Sequence, residues 1–99
     1  MLSRKSSIQY DVTIFQTPRQ KDHKGYKAIY RTLIPASSRE NCLEETFKRF
    51  NVSDLIPPSY RGRFLSTGDI LLIDEGRGGQ YYYQLKPGGW VPINRINLF

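Results

Sequence analysis

The chain has 99 residues, a net charge of +6 and a pI near 9.7, with 13% aromatic residues and a single cysteine. This length makes one domain with one modest core, and leaves no room for a second lobe facing it across a cleft. One cysteine excludes an internal disulfide and fits a reducing cytosol, and no apolar run of about 18 residues offers a membrane-spanning helix.

Taken in chain order, residues 1–7 are basic and polar without an apolar h-region. They read as a disordered N-terminal arm rather than a signal peptide, leaving 8–99 as the single domain. Ile8 to Phe15 alternates apolar and polar residues, the period of a half-buried strand. Gln16 to Gly25 is polar, carries Pro18, and reads as a loop. Tyr26 to Ile34 is a second strand, with Ile29 and Leu33 on one face, Tyr30 and Thr32 on the other, and Pro35 as its stop.

The period then changes. Ser37 with Glu40 fits a capping box, and Leu43, Phe47 and Phe50 form one helical stripe. Glu44 and Lys48 are spaced for an outer ion pair, and Asn51 for a C-terminal cap. The spacing predicts a helix over 38–50. Residues 54–63, with Pro57-Pro58 and Gly62, read as an extended connection.

Ile70 to Ile73 is apolar without alternation, so both its faces are expected to be covered. Glycine-rich turns at 75–79 and 86–89 bracket a strand from Gln80 to Leu85. Its alternation puts Tyr81 and Tyr83 on the core face and leaves Tyr82 exposed. Trp90 to Ile96 closes the sheet, and Pro92 marks it as an edge. The predicted fold is α+β: a small twisted or partly closed antiparallel sheet in the order β-β-α-β-β-β, with one packed helix.

Catalytic constellations are not legible. His23 sits in a basic loop and Cys42 in the first turn of the helix, and neither has the partners a nucleophile–base pair needs. A helix N-terminus lowers a thiol's pKa slightly, but a small packed residue is the favoured reading of Cys42. The scattered carboxylates suggest no metal site, and EGRGGQ lacks phosphate-loop spacing. Asp69 after Thr67-Gly68 reads as a turn cap. No enzyme, cofactor or metal is therefore expected.

Two binding readings follow. Arg19, Lys21, Lys24, Lys27 and Arg31 are opposed locally only by Asp22, which suits a solvated loop or an acidic partner. Tyr82 among Arg77, Lys86 and Arg95 suggests single-stranded nucleic acid stacking on exposed rings. Tyr60, Arg61, Arg63, Arg77, Tyr82 and Trp90 equally have the composition of a protein-binding hot spot, and they are the partner-contact candidates.

The stretch RGRFLSTGDILLID, followed by YYYQLKPGGWVPI, resembles the YodL-like domain family. The shared pattern falls on Gly62, Leu65, Ser66, Asp69, Tyr82, Tyr83, Gly89 and Trp90. The early Ile14-Phe15-Gln16 strand and the Phe47 to Asn51 helix end extend it. The length suits a stand-alone member. The resemblance implies a non-enzymatic cytoplasmic protein of spore-forming Gram-positive bacteria, linked to sporulation and cell shape. It also implies the actin-like filament proteins MreB and Mbl as partners. It supplies no catalytic residues, and its shared Gly62, Gly68, Asp69 and Gly89 look like fold determinants.

Overall fold

A computed structural model describes residues 7–19 and 22–94. The predicted arm at residues 1–7 therefore lies, Ser7 apart, outside the described residues. So does the end of the closing strand. Five strands and one helix follow the order β-β-α-β-β-β: β1 Ile8–Gln16, β2 Lys27–Ala36, α1 Arg39–Asn51, β3 Ile70–Asp74, β4 Gln80–Lys86 and β5 Gly89–Ile93. The sheet is antiparallel throughout, in the spatial order β2-β1-β3-β4-β5. It is open rather than closed, with β2 and β5 as its edges.

Strand β1 is an interior strand, paired with β2 on one side and β3 on the other, and it is amphipathic. Tyr10, Val12 and Ile14 point into the helix-side core, and the last two are fully buried. Opposite its end the register slips: Ile14 pairs with Tyr30, but Phe15 pairs with Ala28. Ile29 is the extra residue of a β-bulge, and a bulge flips side chains between faces. Ile29 and Tyr30 consequently both pack on the helix-side core, while Leu33 faces away and is 55% exposed. The expectation that Ile29 and Leu33 share a face is corrected by that bulge. Pro35 does not stop β2; it lies within it, opposite Gln9, on an edge where its missing N–H costs no ladder bond.

Because β2 runs on to Ala36, the helix starts one residue later than expected. Ser38 is the N-cap, and its Oγ accepts from Asn41 N at 3.0 Å. Asn41 Oδ1 accepts in return from Ser37 N at 3.0 Å. The cap pair is thus Ser38–Asn41, not Ser37–Glu40. Leu43 and Phe50 are buried, with Phe47 packed beside them. Cys42 and Thr46 complete the buried face, and Thr46 Oγ1 donates to Cys42 O at 2.7 Å. Burial pushes the Cys42 thiol up to about 11, against the slight lowering expected from the helix terminus. Asn51 does not cap the helix; its Nδ2 donates across to Leu65 O at 2.6 Å.

The helix-side core centres on three rings. Tyr30, Phe50 and Tyr60 meet edge to face with centroids 4.9–5.6 Å apart. The other face of the sheet holds a smaller cluster of Phe15, Tyr26, Ile70 and Tyr82. Tyr82 is therefore buried at 8% exposure, not the lone exposed ring the alternation suggested. The connection from β1 to β2 brings Tyr26 onto that face and covers it. Counting from the Lys86–Gly89 pair that closes the last hairpin, Pro92 falls at a non-hydrogen-bonded position. Its missing donor faces the free edge of the sheet.

Gly62 shows why the 60–63 segment lies so close. A Cβ there would stand 2.2 Å from Ile29 Cδ1 and 2.5 Å from the Tyr60 hydroxyl. Gly62→Ala is expected to cost about 1–3 kcal/mol through overpacking, read as a lower urea midpoint at unchanged slope. A midpoint equal to wild type would show that the segment is not held against β2. Cys42, fully buried with a raised pKa, is expected to react with a disulfide reagent only as fast as the protein unfolds. Rapid modification of the native protein would contradict that packing.

Candidate functional site

The buried polar centre of the molecule lies at one end of the sheet, where β1 stops and β3 begins. Gln16 is the last residue of β1 and is 4% exposed. Its side-chain amide brackets the backbone of one residue of the returning chain. Oε1 accepts from Arg63 N, and Nε2 donates to Arg63 O, both at 3.0 Å. Nε2 also donates to Asp69 Oδ2 at 2.9 Å. The same carboxylate oxygen accepts from Ser66 N at 3.0 Å, closing the corner in which Gly68 takes a φ of 99°. Arg63 Nη1 donates to Thr17 O at 2.8 Å, and its Nη2 lies 3.7 Å from Asp69 Oδ1.

Asp69 is 2% exposed, and burial raises its pKa above the ordinary 3.8. The bonds from Ser66 and Gln16 and the charge of Arg63 only partly oppose that rise. A carboxylate sealed and bonded in this way acts as a clamp. Tyr60 completes the arrangement by donating from its hydroxyl to Arg63 O at 2.5 Å. Burial pushes its phenol up to about 12.

These contacts redistribute the residues picked from sequence. Tyr60 and Tyr82 are interior residues at 7% and 8% exposure, so neither presents a ring to a partner. Arg63 is occupied by the clamp, whereas Arg61 next to it is exposed. Arg77 is also exposed, but it sits in the β3–β4 turn at the opposite end of β3 from Arg61. Trp90 is half-buried on β5 and packs against the helix-side core. Tyr60, Arg61, Arg63, Arg77, Tyr82 and Trp90 therefore do not make one patch. Gly62, Gly68, Asp69 and Gly89 all serve turns or close approaches, and Gly89 has a φ of 130°.

Phe64, which the sequence reading passed over, is 51% exposed beside Arg61. The bonds from Leu65 N to Phe50 O and from Asn51 Nδ2 to Leu65 O hold this segment against the end of α1. Val52 and Leu55, 45% and 48% exposed, continue from that helix end. Three large apolar side chains and an arginine thus share one end of the molecule. The signal in the sequence was the aromatic residue set directly after Arg61-Gly62-Arg63.

A cleft of about 490 Å³ opens near the clamp, with Asp22, His23 and Lys86 at its rim. Its floor is tied by Tyr26, whose hydroxyl donates to Gly68 O at 2.7 Å, and by Gln84 Nε2, 3.2 Å from the same carbonyl. Of the basic run, Arg31 is held by Asp11 through bonds of 2.9 and 2.6 Å, while Lys24 and Lys27 are exposed. Lys21 lies outside the described residues, as does Arg95. Among the described residues no three His, Cys, Asp or Glu side chains converge as for a metal ion. His23 is exposed on its loop and Cys42 is on the buried face of α1.

The clamp makes a pH prediction. The folded state raises the Asp69 pKa, so it binds that proton more tightly than the unfolded chain. The contribution of Asp69 to stability therefore falls as pH rises from about 3.8 through the folded value. Relative to Asp69→Asn, the wild type should gain stability on acidification through that window. Denaturation midpoints of the two proteins across pH check this, and the opposite slope would show that the hydrogen bonds outweigh burial. Near neutral pH Asp69→Ala should lose about 2–4 kcal/mol, because it strands the Ser66 and Gln16 donors.

The model of the YodL-like domain matches residues 6–89, from the start of β1 to the first residue of β5. Uncharacterized protein YodL of Bacillus subtilis (strain 168) is 54% identical over 93 residues, covering 94% of this chain and 89% of that protein. No solved structure matches. The clamp, its corner and the three-ring core all fall inside the matched span, and the chain belongs to the YodL-like domain family.

Proposed function

We propose that this protein is a non-enzymatic regulator acting in the cytoplasm. It binds actin-like cell-shape filament proteins of the MreB and Mbl type and modulates cell-wall elongation and cell width during sporulation. The observation that carries the reading is the exposed Phe64, with Val52, Leu55 and Arg61 at the same end of the molecule. Solvent-facing aromatic and aliphatic side chains with an exposed arginine are the make-up of an interface hot spot. The net charge of +6 favours an acidic partner surface and speeds encounter with it. A domain of this size can present roughly 800 Å² to such a partner. The choice of a filament protein is what the resemblance to the YodL-like family implies.

The test is co-sedimentation of the purified protein with polymerised MreB. Arg61→Glu and Phe64→Ala should each weaken binding by about tenfold or more. Arg31→Glu, on the far side of the sheet, should leave it unchanged. Absence of binding by the wild type would end the filament reading. If the wild type instead binds single-stranded DNA with an affinity that falls steeply with salt, nucleic acid becomes the partner. Lys86 at the cleft, with the exposed Lys24 and Lys27 of the basic run, are the residues that would serve it.

A further inference from the structure

The sheet is wider than the helix that covers it. Five strands span roughly 19 Å between their outer axes, whereas a helix with its side chains is about 10 Å wide. Helix α1 packs over β2. On the same face, β4 and β5 are left as one wall of a groove whose other wall is α1. Two clefts lie end to end along it. One, of about 440 Å³, is lined by Glu40, Leu43, Glu44 and Trp90. The other, of about 350 Å³, is lined by Phe47, Asn51, Leu85 and Lys86. Leu85 and Trp90 are cross-strand partners, so one side-chain pair floors both clefts.

The charges along the groove have a direction. Glu40 and Glu44 are exposed at its end nearest the α1 N-terminus, and neither forms an ion pair among the described residues. The Glu44–Lys48 pair expected from spacing is not made. Arg39 does not neutralise them, because it is 2.9 Å from Glu75 and stacked 3.9 Å over the Tyr81 ring. Lys86 stands at the other end. In a chain of net charge +6 this acidic end is a local exception.

We infer that this groove receives an amphipathic helix of the partner protein, antiparallel to α1. Its apolar stripe lies on Leu85 and Trp90. Its C-terminal turn carries Lys or Arg against Glu40 and Glu44, and its N-terminal turn carries Asp or Glu against Lys86. That polarity agrees with the helix dipole of the incoming segment, which favours acidic residues at its start and basic ones at its end. Packing a helix into an apolar groove is a common recognition mode, and here it completes a layer that one helix leaves half built. The inference rests on the protein-partner reading above, and names the element that would be bound.

Trp90 is the sole tryptophan of the chain, so its emission reports on the groove directly. The probe is a synthetic amphipathic peptide of about 16 residues, long enough to run the length of the groove. It has a Leu/Ala stripe, Glu in the first turn and Lys in the last. A twin has the two charges exchanged. The first peptide should shift Trp90 emission to the blue with saturation, and the twin should bind about tenfold more weakly. Glu40→Lys with Glu44→Lys, both surface changes, should remove or invert that preference while circular dichroism stays unchanged.

No saturable response, or equal affinity for both peptides in wild type and variant, overturns the inference. A blue shift that grows with protein concentration alone, together with a dimer in sedimentation, assigns the groove to a second copy and also overturns it. The same variant in the MreB co-sedimentation separates the two conclusions. If wild type and variant sediment equally and the peptides are silent, the filament reading stands and the groove inference falls. If the first peptide binds with its charge preference but MreB does not, the groove inference stands and the filament reading falls.

Discussion

The fold depends on one side-chain amide standing in for a strand. Gln16 bonds both the N–H and the C=O of Arg63, as a neighbouring backbone would, at the point where β1 runs out. The chain leaving α1 crosses a long connection before it re-enters the sheet. Without a fixed point in that connection, β3 has no reason to align beside β1. Gln16 supplies that point and Asp69 locks it, because one carboxylate oxygen accepts from both Gln16 and Ser66. Immediately after the lock, Ile70 pairs with Phe15 and the β1–β3 register is set. An uncompensated carboxylate here would be costly, since burial raises its pKa. Three donors or charges in contact reduce that cost without removing it.

The clamp also explains why the arginines picked from sequence part company. Arg61 and Arg63 differ by two positions, yet one is a surface cation and the other a structural tie to Thr17. Gly62 between them is squeezed against Ile29 and Tyr60, so the backbone has no freedom to turn Arg63 outward. Fixing the segment this firmly has a consequence for binding. Phe64 follows directly, and its exposure is imposed by the ties on either side of it rather than left to a mobile loop. An anchor held in place loses less conformational entropy when a partner covers it.

How legible this was in the sequence follows from the range of each interaction. Local signals read well. The alternation of β1, the Leu43–Phe47–Phe50 stripe and the glycine turns at 75–79 and 86–89 all depend on neighbours within a few residues, and they recover every strand and the helix. The structure departs from the local pattern where one residue changes a phase. The bulge at Ile29 turned that residue onto the helix-side core, away from the face of Leu33, and the extra length of β2 moved the cap from Ser37 to Ser38. Tyr82 departs from its expected exposure for a different reason. Alternation assigns a face correctly but cannot say whether another segment covers it, and Tyr26, 56 positions earlier, covers it here. The Gln16–Arg63 clamp spans 47 residues and leaves no periodic trace.

The two candidate surfaces follow from the same deficit of secondary structure. A single helix on five strands buries the β2–β1 side well and leaves β4 and β5 with half-exposed aromatic residues. Many proteins of this layout would pair such a sheet through its edges, but both edges here carry a proline, Pro35 on β2 and Pro92 on β5. Edge pairing is thereby discouraged. What remains for recognition is side-chain chemistry, in the groove beside α1 and around Phe64. Side-chain surfaces discriminate between partners by shape and charge, whereas an open edge accepts almost any extended chain. A protein that is to bind one partner among many needs the first kind of surface and must avoid the second.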